Sequence, residues 1–499
     1  MEIPHRIPYA KCKEKVKSLL EDLHNHELTK RVEAITKLGN LLCEDPQTRD
    51  YFYKLEGKNA ILKRLFIEEK RKFVEAALFT LANSTINHVE NQNSLINEYV
   101  FDLLKTIIKQ SDIMELRNFS HGTIYLISTI VYQNSAGQHL VRESGCLNQL
   151  LNLFHKVLST AWKIQNPDKE LKNVDIICHA LYLSVNNPKN EENQKQVAVV
   201  FPKALLYMTF LIFDNKMSND RILPCLRLFT GTLSGNKVTQ EIFIEYGGMI
   251  FLRRLLLDKV NILEEESIEM CIILMDLLIA SKRLPSSELP SPSIITFLVN
   301  VLQRHKCKLV TLFLLFHLME NDVEMQEVFL KCDGHEKMKQ VCLKEVENEE
   351  IDLISSGIWA MILKNNLELS KANVCSEPSK MDEDLLEDEI KINRKNITVG
   401  VKSELDASQA RKVSPQVHFK ASIKRKPPCV ASEIDEGIRD GYDEIDEGIR
   451  DGYDDIQTSN LSAVDDMKIG LKRRLEIPCV ASEIGERVRD DPDAIQTRK

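Results

Sequence analysis

One phrase recurs along the first three-quarters of this 499-residue chain, and it limits the fold more than any other feature. Asp45 to Phe66 reads DPQTRDYFYKLEGKNAILKRLF, and Asn134 to Phe154 reads NSAGQHLVRESGCLNQLLNLF. Asn236 to Leu257 reads NKVTQEIFIEYGGMIFLRRLLL, and Asn321 to Val341 reads NDVEMQEVFLKCDGHEKMKQV. Each copy runs from a polar loop through a short apolar helix and an acidic turn with Gly to a longer apolar helix. A glycine there suits the left-handed residue that ends one helix and redirects the chain into the next. Gly57, Gly145, Gly247 and Gly334 lie 88, 102 and 87 residues apart. Half of each step, roughly 44–51 residues, is near the length of an armadillo or HEAT repeat. Weaker copies mark the half-steps: NQNSLINEYVFDLL near Tyr99, NQKQVAVVFPKALLYM near Pro202 and SPSIITFLVNVL near Ser293. About seven units result.

The stripes between these turns are helical. Val100, Leu103, Leu104, Ile107 and Ile108 follow the i, i+3, i+4, i+7, i+8 spacing. Leu147, Leu150, Leu151, Phe154, Val157 and Leu158 do the same, as do Ile294, Phe297, Leu298, Val301 and Leu302. No two-residue alternation and no hairpin turn chemistry accompanies them. The expected fold is therefore all-α: an armadillo-type helical repeat solenoid over residues 1–370. A single unit cannot bury its faces alone, so the units stack and leave a long concave surface for extended peptides or helices.

Residues 371–499 read differently. They hold 22 Lys and Arg against 28 Asp and Glu, with only Phe419, Tyr442 and Tyr453 as aromatics. Such a segment buries too little apolar area to offset its ordering entropy, so a disordered acidic tail is expected. It carries a tandem duplication: IDEGIRDGYDE at 434–444, then IDEGIRDGYDD at 445–455. PCVASEI appears at 428–434 and again at 478–484, each time after a basic cluster, Lys424 to Lys426 and Lys472 to Arg474. These clusters fit short nuclear-import signals as well as solvated charge.

The chemistry of the chain points away from catalysis. It has no nucleophile elbow, phosphate-binding glycine loop, dinucleotide fingerprint or zinc-protease motif. The twelve cysteines are scattered and form no C-x-x-C pair, so neither metal nor any other cofactor is implied. Buried, reduced thiols are the expectation. His24 and His26 are read as a solvated pair on a polar helix face, and Glu264 to Glu266 as the exposed start of a helix. Lys70 to Lys72 form a basic cluster, but Glu68 and Glu69 adjoin it. The net charge of −9 disfavours a protein that coats nucleic acid. No run of 18 apolar residues occurs, so no membrane insertion is expected.

Import receptors built of armadillo repeats grip basic peptides with a ladder of Trp and Asn. Here only Phe79 with Asn83, and Tyr182 with Asn186, have the four-residue spacing; Trp162 and Trp359 belong to no ladder. Phe79, Asn83, Tyr182 and Asn186 are the candidate partner-groove residues, with capping or loop roles equally open for the two asparagines.

Three stretches carry a resemblance. NSAGQHLVRESGCLNQLLNLFHKV (134–157), VNNPKNEENQKQVAVVFP (185–202) and FIEYGGMIFL (243–252) resemble the armadillo region of the telomere repeats-binding bouquet formation protein 1 family. The likeness extends more weakly through NDVEMQEVF and GIWAMILKNN (357–366), over roughly residues 40–370. The resemblance implies a non-enzymatic, meiosis-specific scaffold at telomeres on the inner nuclear membrane in meiotic prophase. It implies three protein partners: the family's second bouquet formation protein, a membrane-anchored junction protein, and the shelterin factor that binds duplex telomere repeats. Telomeric DNA would be reached indirectly. Family members also carry a C-terminal Myb-type domain built on spaced tryptophans. Residues 371–499 contain no Trp, so that domain is not expected here. The other reading is a generic armadillo adaptor in cytosolic signalling or trafficking.

Overall fold

The computed structural model describes residues 9–65, 70–110, 119–187, 190–280, 291–304, 306–320, 322–345 and 348–374. Of the expected tail, residues 371–374 belong to the last helix and 375–499 lie outside the described residues. Among the described residues every regular element is a helix.

The helices form three rows. Short first helices are α3 (Pro46–Lys54), α6 (Val89–Leu95), α9 (Ser135–Glu143), α13 (Glu191–Ala198), α16 (Lys237–Glu245) and α21 (Val323–Lys331). Second helices are α4 (Gly57–Leu65), α7 (Glu98–Gln110), α10 (Cys146–Lys163), α14 (Phe201–Phe213), α17 (Gly248–Asp258), α19 (Pro292–Val301) and α22 (Gly334–Lys344). Third helices are α2 (Leu28–Glu44), α5 (Arg71–Thr85), α8 (Phe119–Val131), α12 (Val174–Val185), α15 (Asn219–Leu233), α18 (Glu265–Ala280), α20 (Lys308–Met319) and α23 (Glu349–Val374). α1 (Tyr9–Asp22) packs on α2 and α3 at the start, and α11 (Asp168–Leu171) is an insertion before α12. This is the armadillo-type triplet. The stretch between α18 and α19 lies partly outside the described residues. One compact unit takes in the helices up to Ile358, and the rest of α23 is described apart from it.

The acidic turns between first and second helices use glycine in two ways. Gly145 and Gly247 are themselves left-handed, at φ 80° and 79°. At the equivalent turns the left-handed residue is instead Glu56 or Asp333. Gly57 and Gly334 then begin the second helix, where any Cβ would overlap the ring of Phe52 or Phe329. The expected role of glycine therefore holds at two of the four turns. At the other two its role is to let an aromatic ring of the first helix lie against the start of the second.

A polar ladder ties the repeats together. The first helices start after Asp45, His88, Asn134, Asn190, Asn236 and Asp322. All but Asn190 cap their helix with the side chain, which accepts a backbone N–H. Four residues on stand Arg49, Gln92, Gln138, Gln194, Gln240 and Gln326, all buried. Their side chains reach the last carbonyls of third helices, which no intrahelical N–H can satisfy. Gln138 Nε2 donates to Val131 O at the end of α8 (3.2 Å) and to Leu183 O near the end of α12 (2.7 Å), bridging two repeats. Gln194 donates to Gly231 O and Ser234 O, at 3.0 and 3.1 Å, and Gln92 to Thr129 O and Tyr132 O, both at 2.8 Å. Arg49 plays the same part with Leu42 O, Cys43 O and Ile86 O. The asparagines at these helix starts close the chain: Asn134 donates to Gln92 Oε1, Asn190 to Gln138 Oε1 and Asn236 to Gln194 Oε1, at 3.2, 3.0 and 3.1 Å.

Gln138→Ala removes three hydrogen bonds, those to Val131 O and Leu183 O and the one from Asn190 Nδ2. It should cost about 2 kcal/mol of stability. Lys237→Ala, at an exposed position of α16, should stay within about 0.5 kcal/mol. Urea unfolding followed by circular dichroism compares the two.

Candidate protein-binding surface

Third helices pack on one another along the length of the stack: α2 on α5, α5 on α8, α8 on α12, and so on to α20. Small residues bring them close. A Cβ on Gly39 of α2 would meet Thr80 Oγ1 of α5 at 2.7 Å, and one on Gly122 of α8 would meet Leu78 Cβ at 3.1 Å. Gly231 of α15 lies against the ring of Tyr182 in the same way, at 2.8 Å. This row packs more tightly than the second-helix row, and its outward residues form one continuous face.

The four candidate groove residues all belong to this row. Phe79 on α5 is half-buried and lies beside Tyr125 of α8, ring centroids 5.8 Å apart. Asn83 donates from Nδ2 to Gly39 O, 3.1 Å away, so its amide links α5 to α2. Tyr182 is buried against Gly231 and accepts a hydrogen bond from Asn186 Nδ2 at 2.8 Å. Burial pushes its phenol well above the usual range. Asn186 also follows the last residue of α12, where its N–H donates to Tyr182 O. The row thus holds both aromatic–Asn pairs, but their amides serve the fold, and the Tyr182 ring is packed away.

The row contains other side chains that the four-residue rule missed. His121 and Tyr125 of α8 are half-buried; Tyr125 lies beside Phe79, and His121 Nε2 is 2.5 Å from Asn173 Oδ1. Arg227 of α15 pairs with Glu266 of α18. Asp276 of α18 and His317 of α20 are joined at 2.7 Å. Each pair spans neighbouring third helices. Their signal in the sequence was faint, because one charged residue per helix shows no period. Two expectations change here. Glu266 is not part of an exposed helix start but a half-buried partner of Arg227. His24 and His26 fall in the turn between α1 and α2, where His24 contacts Arg64 at 3.2 Å.

Two carboxyls in this row are strongly perturbed. Burial raises Glu75 of α5 to about 7, against a lowering by Arg71. Burial also raises Glu269 of α18 to about 7, reinforced by Glu266 and Glu265 and opposed by Lys306. Among the described residues no group of His, Cys, Asp and Glu could hold a metal ion, and no single helix is long and apolar enough to cross a membrane. The described cysteines are free thiols. Burial raises those of Cys146 and Cys307, to about 11 and about 12.

With this geometry in hand, comparison with curated proteins gives three relatives. The human telomere repeats-binding bouquet formation protein 1 is 27% identical over 352 residues, 68% of this chain and 45% of its own length. The mouse protein is 28% identical over 247 residues, 48% of this chain and 31% of its own. The zebrafish protein is 28% identical over 222 residues, 44% of this chain and 26% of its own. This chain is similar to telomere repeats-binding bouquet formation protein 1. The resemblance read from three short stretches is thus shared by three species of bouquet formation protein 1, over less than half of each relative. No protein-family model matches. Among solved structures, an engineered protein of the Northeast Structural Genomics Consortium aligns at a TM-score of 0.43 and 14% identity, covering 53% of this chain and 96% of its own. A designed armadillo repeat protein in complex with the peptide (KR)4 aligns at 0.43 and 14%, covering 53% of this chain and 99% of its own.

The raised carboxyls carry a pH prediction. An unfolded glutamate titrates near 4.3. Glu269 holds its proton more tightly when folded, so its contribution to stability is full below about pH 4.3 and is lost as pH rises through about 7. Glu269→Gln should therefore raise Tm at pH 8 and leave it unchanged at pH 4. Melting curves at the two pH values test this. An equal shift at both would rule out the carboxyl as the source.

Proposed function

We propose that this chain is a non-enzymatic, meiosis-specific scaffold. It helps attach telomeres to the inner nuclear membrane in meiotic prophase, for homologue pairing and synapsis. The observation that carries this reading is the 352-residue similarity to human telomere repeats-binding bouquet formation protein 1, which covers 68% of this chain rather than one short motif.

The physical fit lies in the third-helix row. A continuous row of close-packed helices, lined by Phe79, Tyr125, Arg227 and Glu266, offers one long surface of rings and fixed charges. Such a surface suits protein segments better than small substrates. The partners of this reading are a second bouquet formation protein, a membrane-anchored junction protein and the shelterin factor for duplex telomere repeats. Telomeric DNA is engaged through them. Membrane contact is assigned to the anchored partner. A scaffold with several contacts gains avidity, because the second contact becomes intramolecular once the first is made.

Immunostaining of meiotic spreads against a telomere marker tests the proposal. Foci at chromosome ends on the envelope in early prophase are expected, with the three partner classes co-purifying from testis. A diffuse cytoplasmic signal, or abundance in tissues without meiosis, would favour the adaptor reading.

Residues 371–499 are proposed as a separate solvated tail. A fragment ending at residue 370 should then keep its helical circular dichroism and a cooperative melt. Aggregation or loss of helix would move the boundary.

A further inference from the structure

Charge is distributed unevenly over the rows of helices. The second helices hold 13 Lys and Arg against four Asp and Glu, in a chain whose net charge is −9. The first helices hold six against nine, so the excess of cations is not shared by the neighbouring row. Second helices of successive repeats run the same way, so their last turns share an edge. The last turns of α4, α7, α10 and α22 carry Lys63, Lys109, Lys163 and Lys344. All four are exposed, and none pairs with a carboxylate among the described residues. The C-terminal end of a helix favours a cation, so the helix dipole accounts for lysine there. It does not account for the side chains next to two of them. Trp162 is 37% exposed beside Lys163, and Leu343 is 68% exposed beside Lys344. The indole is held in place by Tyr207 and Phe210 of α14, ring centroids 5.5 and 5.3 Å away.

We propose that this edge rests on a membrane surface rich in anionic phospholipid. α7, α10, α14 and α17 pack in succession, with axes about 10 Å apart. The cations are therefore spread along the row rather than gathered in a pocket, which fits a plane of headgroups better than a single peptide. An exposed indole or leucine next to a lysine is the pairing that enters a headgroup layer. The apolar part leaves water while the ammonium stays with the lipid phosphate or carboxylate. The phosphate backbone of a nucleic acid would use the lysines but leave Trp162 and Leu343 without a role. Among the described residues no single helix is long and apolar enough to cross a bilayer, and the contact needs none, because it is peripheral. Each cation at such a surface strengthens binding about fivefold. The negative net charge does not oppose it, since exposed charges more than about 8 Å away are largely screened at physiological salt. The contact adds to that of the membrane-anchored partner in the proposed scaffold but does not depend on it.

Flotation of the purified full chain with vesicles tests this without any partner present. Vesicles of phosphatidylcholine alone are compared with vesicles containing about 30% phosphatidylserine. The chain should float with the anionic vesicles only, and should be released at about 0.5 M salt. Lys109→Glu/Lys163→Glu should weaken binding at least tenfold. Leu343→Ser, at an exposed position, should weaken it as well, with circular dichroism confirming that each variant is folded. In a Trp359→Phe chain, where Trp162 is the single tryptophan, its emission should move to the blue on adding anionic vesicles. No flotation with anionic vesicles would overturn the proposal, as would equal flotation with both kinds. Binding that survives both the charge reversal and Leu343→Ser would place the contact elsewhere on the chain and overturn this edge as the site. Retention of duplex DNA of arbitrary sequence, with no binding to anionic vesicles, would overturn the lipid surface in favour of nucleic acid.

Discussion

The structure depends on how the ends of the third helices are satisfied. A helix leaves its last carbonyls without intrahelical donors, and burying them unpaired would undo the gain from stacking. In this chain a buried glutamine, or Arg49, supplies the donor at the same place in six repeats. Because Gln138 serves both the preceding and the following third helix, it fixes their relative register as well as their ends. The asparagine that caps the next first helix then hydrogen-bonds the glutamine itself. Capping, end satisfaction and inter-repeat spacing therefore belong to one network, and a change at one member is felt at its neighbours.

That network sets the geometry of both faces. It pins one edge of every repeat, and the small residues Gly39, Gly122 and Gly231 let the third helices close up beside it. The second helices carry large rings instead, such as Trp162, Tyr207 and Phe210. The two rows therefore differ in chemistry: cross-helix ion pairs and an aromatic contact on the third-helix row, a cluster of rings on the second-helix row.

Fold class and repeat length were legible in the sequence, because the Gly-containing turn and the 3.6-residue stripes are local patterns. The ladder was visible as well but was not read: DPQTR, HVENQ, NSAGQ, NEENQ and NKVTQ share a polar cap followed four residues later by Gln or Arg. Reading it would have placed the first helices at His88 and Asn190 outright, where the glycine turn is lost. The groove was less legible. Spacing alone nominated Phe79, Asn83, Tyr182 and Asn186, yet it could not tell that Asn83 would be drawn to Gly39 O or that Tyr182 would be packed against Gly231. Arg227 with Glu266, and Asp276 with His317, come from helices about 40 residues apart, and no periodicity in one helix announces such a pair.

The most direct test of this account is a double-mutant cycle between neighbouring repeats at Gln194 and Asn236. Stabilities of Gln194→Ala, Asn236→Ala and the double variant are compared with the parent by urea unfolding. If the amides form one network, the two losses are non-additive, with a coupling of about 0.5–1.5 kcal/mol. Strict additivity, with each substitution costing the same whether or not the other is present, would contradict the ladder as the element that holds the repeats in register.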